Sequence, residues 1–209
     1  MEKKITFVGV LQEGTGIGLK NALSIIVAAI LWILTIWIPY INVGTTIAMY
    51  AIPIELSKGR VISPLFIFDA KYRQFMGEFF MLIGLMLIAI IPALFFMIIP
   101  GIIISISWSL SVYMLIDKQI SPTQALIQSN KATNGYKWII FGVIFVLMAA
   151  FYVLVFLFSL MGEAVEKIFS VILWLVYMVV MLGCNTVIYR NLTGNVSLPE
   201  KEIEVIEEQ

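Results

Sequence analysis

The amino-acid sequence predicts an all-α protein, a polytopic transmembrane helix bundle of six spans arranged as three hairpins. Both termini are predicted to be cytoplasmic, and short interfacial helices are predicted on that side. Three observations favour this class. First, 61% of the 209 residues are hydrophobic and only 12% are charged, whereas soluble domains carry about 25% charged residues. Second, the mean hydropathy is +1.03, which is more apolar surface than a water-soluble fold of this length can bury. Third, the apolar runs alternate with short segments that hold most of the lysines and arginines.

Six apolar segments are predicted to be spans, at positions 21–41, 43–57, 75–98, 101–116, 137–161 and 168–189. Four of them have about 20 residues or more, which is enough to cross a hydrocarbon core of about 30 Å. The second and fourth are shorter and reach only about 22–24 Å. Each of these two fits a full crossing or a re-entrant segment. The spans divide the chain into a cytoplasmic arm (1–20), a transmembrane domain (21–191) and an acidic cytoplasmic tail (192–209).

The basic residues distinguish these alternatives. If all six segments cross and the N-terminus is inside, only Lys167 of the 13 lysines and arginines lies outside. If segment 43–57 were re-entrant, the loop 58–74, with its four basic residues, would face outward. The positive-inside rule therefore predicts six crossings.

Two stretches, 38–64 and 99–122, both begin with Ile-Pro and end with Ile-Ser-Pro. This similarity predicts an internal repeat of a hairpin followed by a cytoplasmic segment. Pro39 and Pro100 are predicted to end the first helix of each hairpin, because proline cannot donate a backbone hydrogen bond. The turns at 42–44 and 100–101 are predicted to be tight.

The segment that follows the second hairpin is predicted to be an interfacial helix. Ser121 suits the N-cap, Pro122 the first helical position and Gly135 the C-cap. One side of this helix is predicted to lie on the membrane and the other to face water. The membrane side comprises Ala125, Leu126 and Ala132, and the water side comprises Gln128, Asn130 and Lys131.

The most specific motif reads Asp-x3-Ser-Pro-x2-Ala-Leu-x2-Ser-x5-Gly-x2-Trp. Its residues are Asp117, Ser121, Pro122, Ala125, Leu126, Ser129, Gly135 and Trp138. With the preceding Ile-Pro-Gly-Ile turn, this motif resembles a group of six-span bacterial membrane proteins of unassigned function. That group is similar to the membrane domain fused to some bacterial glycerophosphodiester phosphodiesterases, and more distantly to Yip-type proteins. The resemblance implies the six-span fold and a location in the bacterial cytoplasmic (inner) membrane. The hydrolase domain of those fusions is missing from these 209 residues, so no catalytic residue is carried over.

Two carboxylates are candidate functional groups near the ends of spans. Glu78 lies just inside the third span, where it could relay protons or bind a cation, or could pair with a loop cation such as Arg73. Glu55 lies near the surface, three residues before Lys58, so a surface ion pair is the simpler interpretation.

Four serines follow one another at every second position of the fourth span. Ser105 and Ser109 share one helix face, and Ser107 and Ser111 share a nearly opposite one. One polar stripe would indicate a pore wall, whereas two opposed stripes favour a helix that is packed on both sides. Asn185, in the sixth span, is predicted to bond to a neighbouring helix because an amide in lipid needs a partner.

The glycines at 14, 16 and 18 suggest a nucleotide-binding loop, but the Gly-Lys-Ser/Thr ending is missing. A flexible lead into the first span is the favoured interpretation.

Three functions remain open at this stage. The first is a non-catalytic subunit, scaffold or regulator of an envelope or transport assembly. The second is a small transporter or channel, and the third is a lipid-active enzyme. The chain has no histidine, the commonest general base and metal ligand, so neither an enzyme nor a metal or other cofactor is predicted. Expected partners are membrane lipids and another protein or a second copy, whereas zero net charge argues against nucleic acid.

Overall fold

The predicted all-α class is confirmed by a computed structural model that describes residues 5–194, where every regular element is helical. Nine α-helices and two short 3₁₀ helices follow one another in this part of the chain. The α-helices are α1 (Phe7–Lys20), α2 (Ala22–Thr35), α3 (Pro39–Ser57), α4 (Met76–Phe96), α5 (Ile98–Ser107), α6 (Ser111–Lys118), α7 (Pro122–Thr133), α8 (Lys137–Ser159) and α9 (Glu163–Thr193). The 3₁₀ helices are Pro64–Phe68 and Ala70–Phe75.

Four helical segments in the described range are long and apolar enough to cross a membrane. They are Ala70–Phe96, Ile98–Lys118, Lys137–Ser159 and Glu163–Thr193. A fifth arises if α1 and α2, which meet at an angle of 73°, together form one broken span. The coarse prediction of a multi-helix membrane protein is therefore supported. The count of six spans and their orientation remain predictions.

Both prolines of the repeat lie in the first turn of a helix, so the prediction that they end helices is wrong. Helix α2 ends at Thr35, and Pro39 is the first residue of α3. The second hairpin turns at Met97, and Pro100 lies in the first turn of α5. Proline fits a first helical turn because the N–H that it lacks has no intrahelical partner there. The predicted turns at 42–44 and 100–101 are consequently helical.

The predicted N-terminal arm contains helix α1, which packs against α9. A Cβ built on Gly183 would lie 2.0 Å from the carbonyl oxygen of Gly14, and one built on Gly18 would lie 2.5 Å from that of Val179. The two backbones are therefore in direct contact, as small residues permit between membrane helices. An ion pair at 2.5 Å between Glu13 and Arg190 joins the same two helices. The flexible lead predicted for the glycine-rich stretch is wrong.

Helix α7 begins and ends as predicted, and Asn130 and Lys131 are exposed as predicted, but the side predicted to lie on the membrane is buried in the protein. The Ser121 hydroxyl accepts a hydrogen bond from the Gln124 N–H at 3.4 Å, and Gly135 has a φ of +83°. Ala125 is fully buried, and Gln128, predicted to face water, is only 3% exposed. Helices α4, α5 and α6 cover α7. The interfacial prediction fails because the apolar face meets protein instead of lipid.

The buried core lies where α3, α6 and α9 end and α4 and α8 begin. All six residues 111–116 of α6 are buried. In α4 and α8 the buried residues fall in the first two turns, and in α9 they begin only at Val179. The core thus leads directly to the polar groups at the ends of these helices.

Candidate functional site

Asp117, in the last turn of α6, ties three helices together. Its Oδ1 forms an ion pair with the ammonium of Lys58, which follows α3. Its Oδ2 accepts a hydrogen bond of 2.5 Å from the hydroxyl of Tyr189 on α9. A carboxylate at a helix C-terminus is disfavoured by the helix dipole, and Lys58 compensates by supplying an opposite charge. The candidate that sequence alone placed in a loop is thus an interhelical anchor.

A pocket of about 220 Å³ lies beside this anchor and also contains Glu55. Glu55 pairs with Arg60 at 3.0 Å, so its predicted surface ion pair exists but does not involve the predicted neighbour. The pocket lining includes Lys58 and Lys71 as well as both carboxylates. Two candidates predicted separately therefore share one site with two cations.

Tyr72 is the residue of this pocket that sequence reasoning did not select as a candidate. Its side chain is only 2% exposed, and its hydroxyl has no hydrogen-bond partner among the described residues. Phe66 packs edge-on against its ring at 5.8 Å, and the Lys71 ammonium lies 4.9 Å from the ring centroid. The ring is thereby held in place, and its hydroxyl makes no hydrogen bond of normal geometry to the described residues, although the Lys71 ammonium is close enough to interact with it electrostatically. A buried hydroxyl without a partner is costly, which makes this position a candidate for ligand contact.

Asp69 fixes the backbone that leads into this tyrosine. The Lys71 N–H donates a hydrogen bond of 3.1 Å to Asp69 Oδ1, which lowers the pKa of the Asp69 carboxyl. The same carboxylate forms an ion pair with the Lys71 ammonium at 3.4 Å. Asp69 therefore holds both the backbone and the side chain of Lys71.

Glu78 stands apart from the pocket, exposed in the first turn of α4. An acidic group there is favoured by the helix dipole. The predicted pair with Arg73 is absent from the described part of the chain, where Arg73 lies over the ring of Tyr40, 5.9 Å from its centroid. The structure gives Glu78 no further contact that would support a relay.

The serines of the fourth span bond to their own backbone. Ser105 donates to the carbonyl of Gly101 at 2.8 Å, and Ser109 donates to that of Ile106 at 2.8 Å. The span itself is interrupted between α5 and α6. These bonds favour the packing interpretation over a pore wall.

Ser129 of α7 bridges that interruption. Its hydroxyl donates to the carbonyl of Ser107 at 2.7 Å and accepts from the N–H of Leu110 at 3.2 Å. Both backbone groups lie at the break between α5 and α6, and the hydroxyl itself is buried. The motif serine Ser129 therefore stabilises the break in the fourth span. Trp138, the last residue of the motif, is 83% exposed at the start of α8.

Replacing Ser129 with alanine should lower the stability of the fold by about 2 kcal/mol, because the buried N–H of Leu110 loses its partner and the carbonyl of Ser107 keeps only the 3.3 Å hydrogen bond from the Thr133 hydroxyl. The melting temperature of the purified protein in mild detergent measures this effect. Ser105→Ala is the matched control, since that hydroxyl bonds only to its own helix. Equal melting temperatures for the two variants would contradict the bridging role.

Asn185 lines a second pocket, of about 320 Å³, between α2, α3 and α9. The predicted hydrogen bond to another helix is absent from the described residues. Most of the lining is apolar or aromatic and includes Trp32, Tyr113 and Trp174. The amide thus faces a cavity, not a neighbouring polar group.

Comparison with known protein families, curated proteins and solved structures found no match.

Proposed function

We propose that this chain is a non-catalytic integral membrane protein that acts as a subunit, scaffold or regulator of an envelope or transport assembly. The proposal includes six crossings of the bacterial inner membrane with cytoplasmic termini, as the distribution of basic residues favours. Its contact surface is one face of α4, which would meet a transmembrane helix of another polypeptide.

One face of α4 carries this proposal. Gly77, Met81, Gly84 and Ile88 follow one another at helical spacing. A Cβ built on either glycine would meet nothing within 4 Å, and both larger side chains are exposed. Membrane helices associate where small residues let backbones approach, and only 11% of the most apolar window of this span is buried. The face therefore combines an open groove with an apolar rim.

Filling the groove with Gly84→Leu should release the partner while leaving the melting temperature of the isolated protein unchanged. The reason is that the new side chain enters open space on this chain but occupies the path of a partner helix. Native mass spectrometry of the protein purified from its host in mild detergent would measure the loss.

A photo-cross-linker at Ile88 should give one discrete adduct, and the same cross-linker at Phe156 on α8 serves as the control. A bare monomer, or a complex unaffected by Gly84→Leu, would contradict the proposal.

Liposome flux that depends on Asn185 would instead favour the second candidate, a small transporter, because that amide faces an internal cavity.

A further inference from the structure

The pocket beside Asp117 keeps hydrogen-bonding capacity that the protein itself leaves unused. Lys58 and Lys71 each have three ammonium protons and one carboxylate partner. The Tyr72 hydroxyl has no partner among the described residues. On the acceptor side, Glu55 uses only its Oε2, for Arg60, and each oxygen of Asp117 has one protein donor and room for another. Spare donors and spare acceptors therefore line one small cavity.

The formal charges of the lining cancel. The lining contains two lysines, Lys58 and Lys71, and two carboxylate residues, Glu55 and Asp117. A ligand with only a negative charge would be repelled by the carboxylates, and a ligand with only a positive charge would be repelled by the ammonium groups. A ligand that carries one charge of each sign suits this lining best.

The position of the pocket indicates the depth of its ligand. The lining includes Gln74 and Phe75, and the apolar helix α4 begins at the next residue, Met76. Lysine and tyrosine side chains flanking an apolar span are typical of the headgroup level. A volume of about 220 Å³ is below the usual range for drug-sized ligands, about 300–1,000 Å³. The pocket therefore suits a small headgroup at the membrane surface.

We infer that this pocket binds the zwitterionic phosphoethanolamine group. Its phosphate is received by Lys58, Lys71 and the Tyr72 hydroxyl, and its primary ammonium donates to Glu55 and Asp117. A trimethylammonium group has no proton to donate to these carboxylates, so choline is disfavoured. This binding site goes beyond the helix association proposed above and does not depend on it.

The test measures lipid retention by native mass spectrometry of the whole protein in micelles with equal amounts of phosphatidylethanolamine, phosphatidylcholine and phosphatidylglycerol. We expect phosphatidylethanolamine to be retained preferentially. Tyr72→Phe should weaken its retention about tenfold, because a hydrogen bond to a charged group is lost. The same variant should melt no lower than the wild type in lipid-free detergent, because it removes a hydroxyl that has no partner.

Tyr152→Phe is the matched control, since that exposed tyrosine lies on α8, away from the pocket. Millimolar glycerophosphoethanolamine distinguishes the two sources of the headgroup. Displacement of the lipid supports recognition of the free headgroup, and retention supports recognition of the intact phospholipid. Equal retention of the three lipids, or a Tyr72→Phe variant that retains phosphatidylethanolamine as the wild type does, would overturn the inference.

Discussion

Replacing Gly183 with alanine should separate α1 from α9 and lower the stability of the folded protein by about 3 kcal/mol. The added methyl group would lie 2.0 Å from the carbonyl oxygen of Gly14 and 2.8 Å from the N–H nitrogen of Gly18. Both obstacles are backbone atoms, which cannot rotate away as the end of a side chain can. The whole of α1 must therefore shift.

Cys184 reports on this shift without purification. It is the only cysteine in the chain, it is fully buried, and its Sγ lies 3.7 Å from the carbonyl oxygen of Val10 on α1. Alkylation of Cys184 by a membrane-permeable maleimide should be slow in the wild type and fast in Gly183→Ala. Gly16→Ala, on the partner helix α1, is the control, because a Cβ at Gly16 meets nothing within 4 Å. Equal protection of the cysteine in both variants would show that the helix contact is unimportant.

The α1–α9 contact also shows where sequence reasoning reached its limit. Gly14 and Gly18 have the spacing of a helix-packing motif, but three glycines in five residues lower the intrinsic helix propensity. Local propensity therefore predicted a flexible segment. The compensating contact comes from Gly183, at the other end of the chain, and nothing near position 14 in the sequence indicates it. Packing against α9, and not local propensity, therefore makes this segment a helix.

Elements with purely local signals were predicted well. Helix α7 begins at the Ser-Pro pair and ends before Gly135, because a cap and a left-handed turn depend on neighbouring residues alone. Pro39 was misplaced for a related reason. A proline is compatible both with the position just after a helix and with the first turn of the next one. Only the packing of the neighbouring helices distinguishes these two positions. Composition alone predicted the membrane class, because the total apolar content of the chain does not depend on which helices pack together.

Individual residues of the candidate site could be predicted from the sequence, but their meeting in one pocket could not. Glu55 stood out because carboxylates near apolar spans are rare, and Asp117 stood out as the first residue of the motif. Their shared pocket depends on the approach of α3 to α6, and Tyr189 reaches Asp117 from a third helix. Tyr72 has no unusual sequence context, since tyrosines are common at membrane surfaces. Its unpartnered hydroxyl could be seen only in the folded protein.

Asp117→Ala should lower the stability of the protein by about 2–3 kcal/mol, mostly through Tyr189. The hydroxyl of Tyr189 is buried and would lose its acceptor, which costs about 1–3 kcal/mol. The ion pair with Lys58 contributes less, about 1 kcal/mol or below, because that lysine side chain is 40% exposed. Melting in detergent without phosphatidylethanolamine measures these effects apart from any lipid in the pocket.

Double-mutant cycles separate the two contacts of Asp117. The coupling between Asp117→Ala and Tyr189→Phe should exceed the coupling between Asp117→Ala and Lys58→Ala. Salt at about 1 M shortens the screening length to about 3 Å, so it should weaken the Lys58 coupling while leaving the Tyr189 coupling unchanged. If Asp117→Ala and Tyr189→Phe were additive, the tie between α6 and α9 would have no energetic weight. The pocket would then have to be held by α3, α6 and the 3₁₀ helix Ala70–Phe75, without support from α9.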